Sequence, residues 1–358
     1  MIKLFDFRRL TLCCTACFFL LASCHSDEGK GLLERFPTAV QLQPDASYTF
    51  DSDSLMRPEK IACCNGRIVV YDLHSGYNYT LFDAEQGNYI TRLGAIGEGP
   101  GEMPAYCYDY HLESNRLSAF NNQTRQLFGI QLKDDRPQSH CQLQCNLPDA
   151  QFTSVVPVGD SLYLGAGVVG EGLQYALFSK NNVLIDSGIP IYNATDSTFV
   201  GYTRYLSNQG VLIKHPSQDR FAFAVNLSAN LDFIEVSKSR IRLCRSLRLG
   251  NPIVQPAIQT LAGSGQTFSV NPNEQTVWGY IDLCATKEHV YALYSENTLY
   301  KAGRRSDTVL VFDWDGHPVT RLRLHTDAYR IASNADGKYL YALVQSGMED
   351  WNIIRYPL

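Results

Sequence analysis

Six short segments with apolar, often aromatic, alternation return along this chain at intervals of one small sheet. No single motif constrains the fold as strongly as this recurrence. The segments are Arg67-Ile68-Val69-Val70-Tyr71, Arg116-Leu117-Ser118-Ala119-Phe120, Ser161-Leu162-Tyr163-Leu164, Arg220-Phe221-Ala222-Phe223, His289-Val290-Tyr291-Ala292-Leu293 and Tyr339-Leu340-Tyr341-Ala342-Leu343. Their second residues stand at 68, 117, 162, 221, 290 and 340, so successive units lie 49, 45, 59, 69 and 50 residues apart. A period near ~40 to 50 residues is that of a four-stranded propeller blade, a sheet that stacks on neighbours to bury its faces. Each segment is followed by a second apolar run and, in most units, by hairpin residues and a last strand. The pattern predicts an all-β chain folded as a six-bladed β-propeller.

The units are expected over Ile61 to Leu93, Tyr106 to Leu143, Thr153 to Ile185, Tyr202 to Leu247, Tyr280 to Leu324 and Tyr329 to Tyr356. The sixth lacks an outer strand, which would leave an unpaired edge. An N-terminal strand, Pro37-Thr38-Ala39-Val40-Gln41-Leu42, precedes the first unit without partners of its own and is expected to complete the last blade. Gly250 through Gln275, punctuated by Pro252, Pro256, Gly263, Gly265 and Pro272, reads as a long functional or lid-like loop.

Ahead of the repeats, Lys3, Arg8 and Arg9 introduce the apolar run Leu10 to Ala22, which at about a dozen residues is a secretory signal core rather than a membrane span. Leu21-Ala22-Ser23-Cys24 resembles the bacterial lipoprotein box, which implies cleavage before Cys24 and lipid on that cysteine. The expected organisation is a signal peptide over 1–23, a polar tether over 24–35 and the propeller over 36–358. The expected location is the outer membrane, periplasmic or surface-exposed. Acylation with more than one chain anchors stably. A formal net charge of −5 argues against a nucleic-acid partner, which calls for a basic face. Of the 11 cysteines, seven follow the lipid site, with no regular spacing, and read mostly as buried small hydrophobes. Cys141 with Cys145 is the one close pair that could bridge.

Between the first two units stands Leu93-Gly94-Ala95-Ile96-Gly97-Glu98-Gly99-Pro100-Gly101-Glu102, whose glycines permit tight backbone turns and read as a rigid interblade connection. Together with the lipoprotein box, the six units and the hairpin Val311-Phe312-Asp313-Trp314-Asp315-Gly316-His317-Pro318-Val319, it resembles the TolB-like six-bladed propeller lipoproteins of Bacteroidetes. The resemblance implies this fold and an envelope location and carries little biochemistry.

In a propeller the first strand of each blade lines the axial channel, and the loops at one rim form the usual recognition face. The residues that fall there are Arg57, Glu59, Tyr106, Tyr108, Asp109, Tyr202, Arg204, Tyr205, Tyr280, Asp282, Tyr329 and Arg330. Tyrosine and arginine combine stacking area with hydrogen-bonding tips, which suits a protein or glycan partner. No catalytic constellation stands out, no metal pair occurs at helical spacing, and no cofactor is implied. The leading expectation is a lipid-anchored envelope binding module. Its alternative is a metal-dependent propeller hydrolase of lactonase or lyase type, with Glu59, Asp109 and Asp282 as oxygen ligands at the channel.

Overall fold

The computed structural model describes residues 31–358 apart from 51–53, 75, 114, 133–140, 147–149, 251–252, 261–265 and 348–349. The signal peptide, Cys24 and the first part of the tether therefore lie outside the described residues, as does the side chain of Cys145. Residues 31–35 contain one 3-10 turn, Leu33–Arg35, and Phe36–Leu358 form a separate compact unit.

That unit is built from strands. Two come first, β1 (Ala39–Gln41) and β2 (Ala46–Phe50). Blade one is β3 (Pro58–Cys64), β4 (Arg67–His74), β5 (Tyr77–Asp83) and β6 (Tyr89–Ala95). Blade two is β7 (Asp109–Glu113), β8 (Arg116–Asn121), β9 (Gln126–Gln131) and β10 (Cys141–Asn146). Blade three is β11 (Gln151–Val158), β12 (Leu162–Val169), β13 (Leu173–Ser179) and β14 (Leu184–Pro190). A short helix, α1 (Tyr202–Ser207), leads to blade four: β15 (Gly210–Lys214), β16 (Arg220–Val225), β17 (Asn230–Ser237) and β18 (Arg240–Arg248). A separate hairpin, β19 (Val254–Thr260) and β20 (Gln266–Pro272), precedes blade five: β21 (Tyr280–Ala285), β22 (His289–Tyr294), α2 (Leu299–Ala302), β23 (Ser306–Asp313) and β24 (Pro318–Ala328). Blade six is β25 (Arg330–Ser333), β26 (Tyr339–Ser346) and β27 (Asp350–Pro357).

Each blade is an antiparallel up-and-down sheet, and the inner strands β3, β7, β11, β15, β21 and β25 neighbour one another in that order and return to β3. The sequence-predicted six-bladed ring is thus the observed one. An N-terminal strand does complete the last blade, but it is β2 and not residues 37–42. β2 pairs antiparallel with β27, from Ala46 opposite Arg355 to Phe50 opposite Trp351, while β1 runs parallel to β24 on the outside of blade five. Two features account for the assignment. The eleven-residue β24 leaves an outer edge to which β1 adds, and Leu42 follows it into the core between blades five and six. Asp45 then grips Arg355 with both carboxylate oxygens, at 2.8 and 3.1 Å, and fixes the register of β2.

Blade faces are joined by apolar and aromatic packing. Tyr79 meets Tyr110 edge-on at 5.1 Å between blades one and two, and Tyr175 meets Phe223 at 5.8 Å between three and four. The phenols of the seam between blades one and two are satisfied: Tyr79 donates to the Cys107 carbonyl at 2.6 Å and Tyr110 to the Val69 carbonyl at 2.7 Å. The glycine-rich decapeptide is a folded turn, as expected. The Glu102 carboxylate turns back to accept from the Gly99 amide at 2.8 Å, and a Cβ on Gly97 would stand 1.9 Å from the same oxygen.

Because strands alternate in direction, the connections that enter the inner strands share one face of the ring with those between second and third strands. We call this the entry face. At the other end, where the inner strands finish, the channel widens into a cavity of about 380 Å³ lined among others by Lys60, Cys63, Glu113, Lys214, Cys284 and Ser333.

Candidate functional site

The entry face collects most of the predicted residues, in two groups. The first is aromatic. Tyr202 lies on α1 and not on an inner strand, which corrects the expectation for Tyr202 to Leu206. Burial of Thr203, Tyr205 and Ser207 alternates as a strand's would, yet the segment is held helical from both ends. Thr203 exchanges hydrogen bonds with the Val200 amide and carbonyl, and the Asn208 side chain closes on the Arg204 carbonyl at 2.8 Å. Tyr202 remains on the surface with its ring 4.9 Å from that of Tyr205 and 6.4 Å from Phe268. Asn122 reaches both the Tyr108 hydroxyl at 3.4 Å and the Tyr205 hydroxyl at 3.3 Å. Burial pushes the Tyr108 phenol well above its usual range, with Tyr205, Asp109, Tyr202 and Tyr71 adding to the effect.

Phe268 belongs to the β19–β20 hairpin, a segment expected to be loop. Its register runs from Val254 opposite Pro272 to Thr260 opposite Gln266. A two-stranded hairpin has free outer edges, where proline is tolerated, so Pro256 and Pro272 do not exclude strand. The foot of the hairpin is fixed by Val254 and Val270, which pack with Phe199, Leu227 and Trp278.

The second group is charged. Arg57 approaches Glu59 at 3.2 Å, and Arg330 donates through Nε to the Glu59 carbonyl and through Nη1 to the Tyr329 carbonyl. Above Trp278, at 4.1 Å from the ring centroid, lies the guanidinium of Arg304, from the connection between β22 and β23. Burial, and next the charge of Arg330, hold Arg304 below the ordinary arginine range; Glu59 opposes this and Arg57 adds to it. Those influences place Arg57, Glu59, Arg304 and Arg330 in one local field. Neither Trp278 nor Arg304 was among the residues anticipated from sequence. Their signal was slight: a tryptophan two positions before the inner strand of blade five, and an Arg-Arg pair after Gly303.

Other predicted residues serve the frame. Both oxygens of Asp109 are engaged, Oδ1 by the Lys60 ammonium at 3.0 Å, Oδ2 by the Ser154 hydroxyl at 2.9 Å and the Val155 amide at 3.0 Å. Asp282 is fully desolvated and accepts from the Ile331 amide at 2.9 Å and from the Leu283 amide at 3.0 Å; burial raises its carboxyl above the usual value. Tyr280 is wholly buried against Tyr294, at 5.2 Å. Tyr329 packs on Trp351 at 5.4 Å, and Arg204 binds the carbonyls of Phe199 and Glu171. Glu59, Asp109 and Asp282 do not converge on a common point. Among the described residues, the one group of three side chains able to share an ion is Asp313, Asp315 and His317, on the β23–β24 turn. There Asp313 accepts from the Asp315 and His317 amides, as a hairpin turn does.

Comparison with known proteins bears on the fold. A family model described as TolB-like 6-blade propeller-like matches residues 38–336. Among solved structures, a Bacteroides fragilis protein described as exported aligns with TM-score 0.51 at 10% identity, covering 89% of this chain and 99% of its own. The Myceliophteria thermophila Cps50 (Swd1) propeller domain aligns with TM-score 0.45 at 11% identity, covering 88% and 99%. At such identities the likeness is one of fold. No curated protein matches the sequence.

Proposed function

Since this chain belongs to the TolB-like six-bladed propeller family, we propose that it is a binding module of the cell envelope, held to the outer membrane through lipid on Cys24, that takes a protein or glycan partner on its entry face. The observation that carries this reading is the pairing there of an aromatic shelf, Tyr108, Tyr202, Tyr205 and Phe268, with the arginine group around Glu59. Rings and guanidinium groups on one face supply contact area with little side-chain entropy to lose and donors of fixed geometry. Of the carboxylates that a metal-dependent hydrolase would use at the channel, Asp109 and Asp282 are instead engaged by backbone amides and Glu59 lies against Arg57, which favours binding over that chemistry. Support for the envelope address is the signal core and lipoprotein box. Among the described residues no helix is long and apolar enough to cross a membrane.

The reading is tested by screening the purified chain against glycans and crosslinked envelope partners. Tyr202→Ala is expected to weaken the interaction about tenfold, the scale of one lost stacking contact of ~1.4 kcal/mol. In cell fractionation, Cys24→Ser is expected to move the protein off the membrane. Affinity unchanged in Tyr202→Ala, or membrane retention of Cys24→Ser, would count against the corresponding half of the proposal.

A further inference from the structure

Resting on the reading that the entry face binds a partner, we infer that its Arg304 side takes a carboxylate-bearing saccharide, a uronate-type glycan, with the guanidinium groups of Arg304, Arg330 and Arg57 as partners of the anion.

Arg304, Arg330 and Arg57 share one local field, and the carboxylates near them are already engaged: Glu59 lies against Arg57, Asp72 takes the Met56 and Arg57 amides, and Asp282, which feels the charge of Arg330, takes the Ile331 and Leu283 amides. Arg330 uses Nε and Nη1 on carbonyls, which leaves Nη2 for another acceptor. Arg304 is different in kind. Its guanidinium stacks on Trp278, and among the described residues no hydrogen bond or ion pair engages any of its five donors. The indole Nε1 of Trp278 is also buried with no partner among the described residues. A stacked guanidinium is oriented, and an oriented fork without a carboxylate is a preformed half of a bidentate pair. Partial desolvation beside two further arginines makes an unpaired cation there costly, and an arriving anion relieves that cost.

The class of anion follows from the exposed rings of the same face. Tyr300, in the connection that also carries Arg304, is 70% exposed, and Tyr106 and Tyr202, in other connections of that face, are 54% and 39% exposed. Tyr300 is tied down through its hydroxyl to the Pro272 carbonyl at 3.3 Å. Exposed, oriented rings offer flat surfaces to the C–H faces of pyranose rings, and the arginines take the carboxylates those rings carry. Acidic peptide would satisfy the charge but leave the rings unused.

The test is calorimetric titration of the full chain in detergent with four probes: oligogalacturonate, its methyl ester, a neutral galactan oligomer and hexaglutamate. Oligogalacturonate is expected to bind at least about tenfold more tightly than its ester, with affinity falling as salt is raised. Arg304→Gln is expected to lose that advantage, so that acid and ester bind with like affinity, and Arg304→Lys to recover only part of it, since an ammonium lacks the fork. An unchanged thermal transition in both variants shows that the fold is intact. Equal affinity for acid and ester would overturn the inference while leaving the entry face as the binding surface. Hexaglutamate binding as tightly as oligogalacturonate would overturn the saccharide class. Binding of none of the four would overturn the inference, and the Tyr202→Ala comparison then judges the broader reading separately.

Discussion

Asp109 stands where three blades meet, and its chemistry shows how the channel is held. Its carboxylate joins the Lys60 ammonium of blade one to the Ser154 hydroxyl and Val155 amide of blade three. Lys60 in turn lies 5.0 Å from the Tyr110 ring centre. A carboxylate so placed is worth more than an exposed ion pair, because its removal strands a cation and two donors away from water. Asp109→Ala is expected to lower unfolding free energy by about 2–4 kcal/mol, measured by urea denaturation. Asp109→Asn keeps an acceptor for the amide and is expected to cost less. A loss below ~1 kcal/mol in the alanine variant would show that water replaces the network.

At the scale of elements, the closing strand is the sharpest point. Deleting residues through Leu42 removes β1, three residues on the outside of blade five, whereas deleting through Phe50 also strips β2 from the edge of β27 and removes Phe50 from its contact with Phe82 at 4.5 Å. The first deletion is expected to leave a cooperative transition at reduced stability, the second to yield an aggregating chain, because an exposed edge of eight residues invites pairing with other chains. Thermal unfolding and light scattering distinguish them. The same strand marks where sequence reading stopped. Blade strands were legible because the second strand of each blade is buried along nearly its whole length and so reads as a short apolar run that returns once per blade. That a spare strand completes blade six was also legible from the missing edge. Which residues supply it was not, since Ala46-Ser47-Tyr48-Thr49-Phe50 and 37–42 alternate about equally, and an ion pair across the ring decides. Helix α1 was hidden for a related reason: capping side chains such as Asn208 act from outside the segment they hold. The aromatic half of the candidate site was visible through Tyr108 and Tyr202. The Arg304–Trp278 stack brings together two connections of blade five, a closeness no local pattern encodes.

For the whole molecule, the channel is bridged by charge as well as walled by strands. Lys214 of blade four reaches Glu113 of blade two at 2.7 Å, with blade three between them in ring order, and His111 lies 3.6 Å from the same oxygen. Burial pulls the Glu113 carboxyl upward, but hydrogen bonds from His111 and Lys214 and their charges outweigh it and bring the group down from 4.5 to about 2. A depressed carboxyl favours the fold when ionised, so its contribution is complete above about pH 4.5 and is lost as pH falls toward 2. With the carboxyl 38% exposed, that contribution is on the order of 1 kcal/mol after screening by solvent. Asp282 acts in the opposite sense: its raised carboxyl favours the fold in acid, and that share fades as pH rises through its raised value. The stability gap between the natural chain and Glu113→Gln is therefore expected to be constant near neutrality and to vanish by about pH 2. A gap independent of pH would mean that the bridge is not ionic.

The grip of Asp45 on Arg355 joins positions 310 residues apart. A nascent chain that has made everything through blade five can pair β1 with β24 but still lacks β27, the partner of β2, so the ring cannot lock until that strand has emerged. Contacts of such long range form late. During synthesis the polypeptide consequently stays unlatched, and it snaps shut only once β27 is complete.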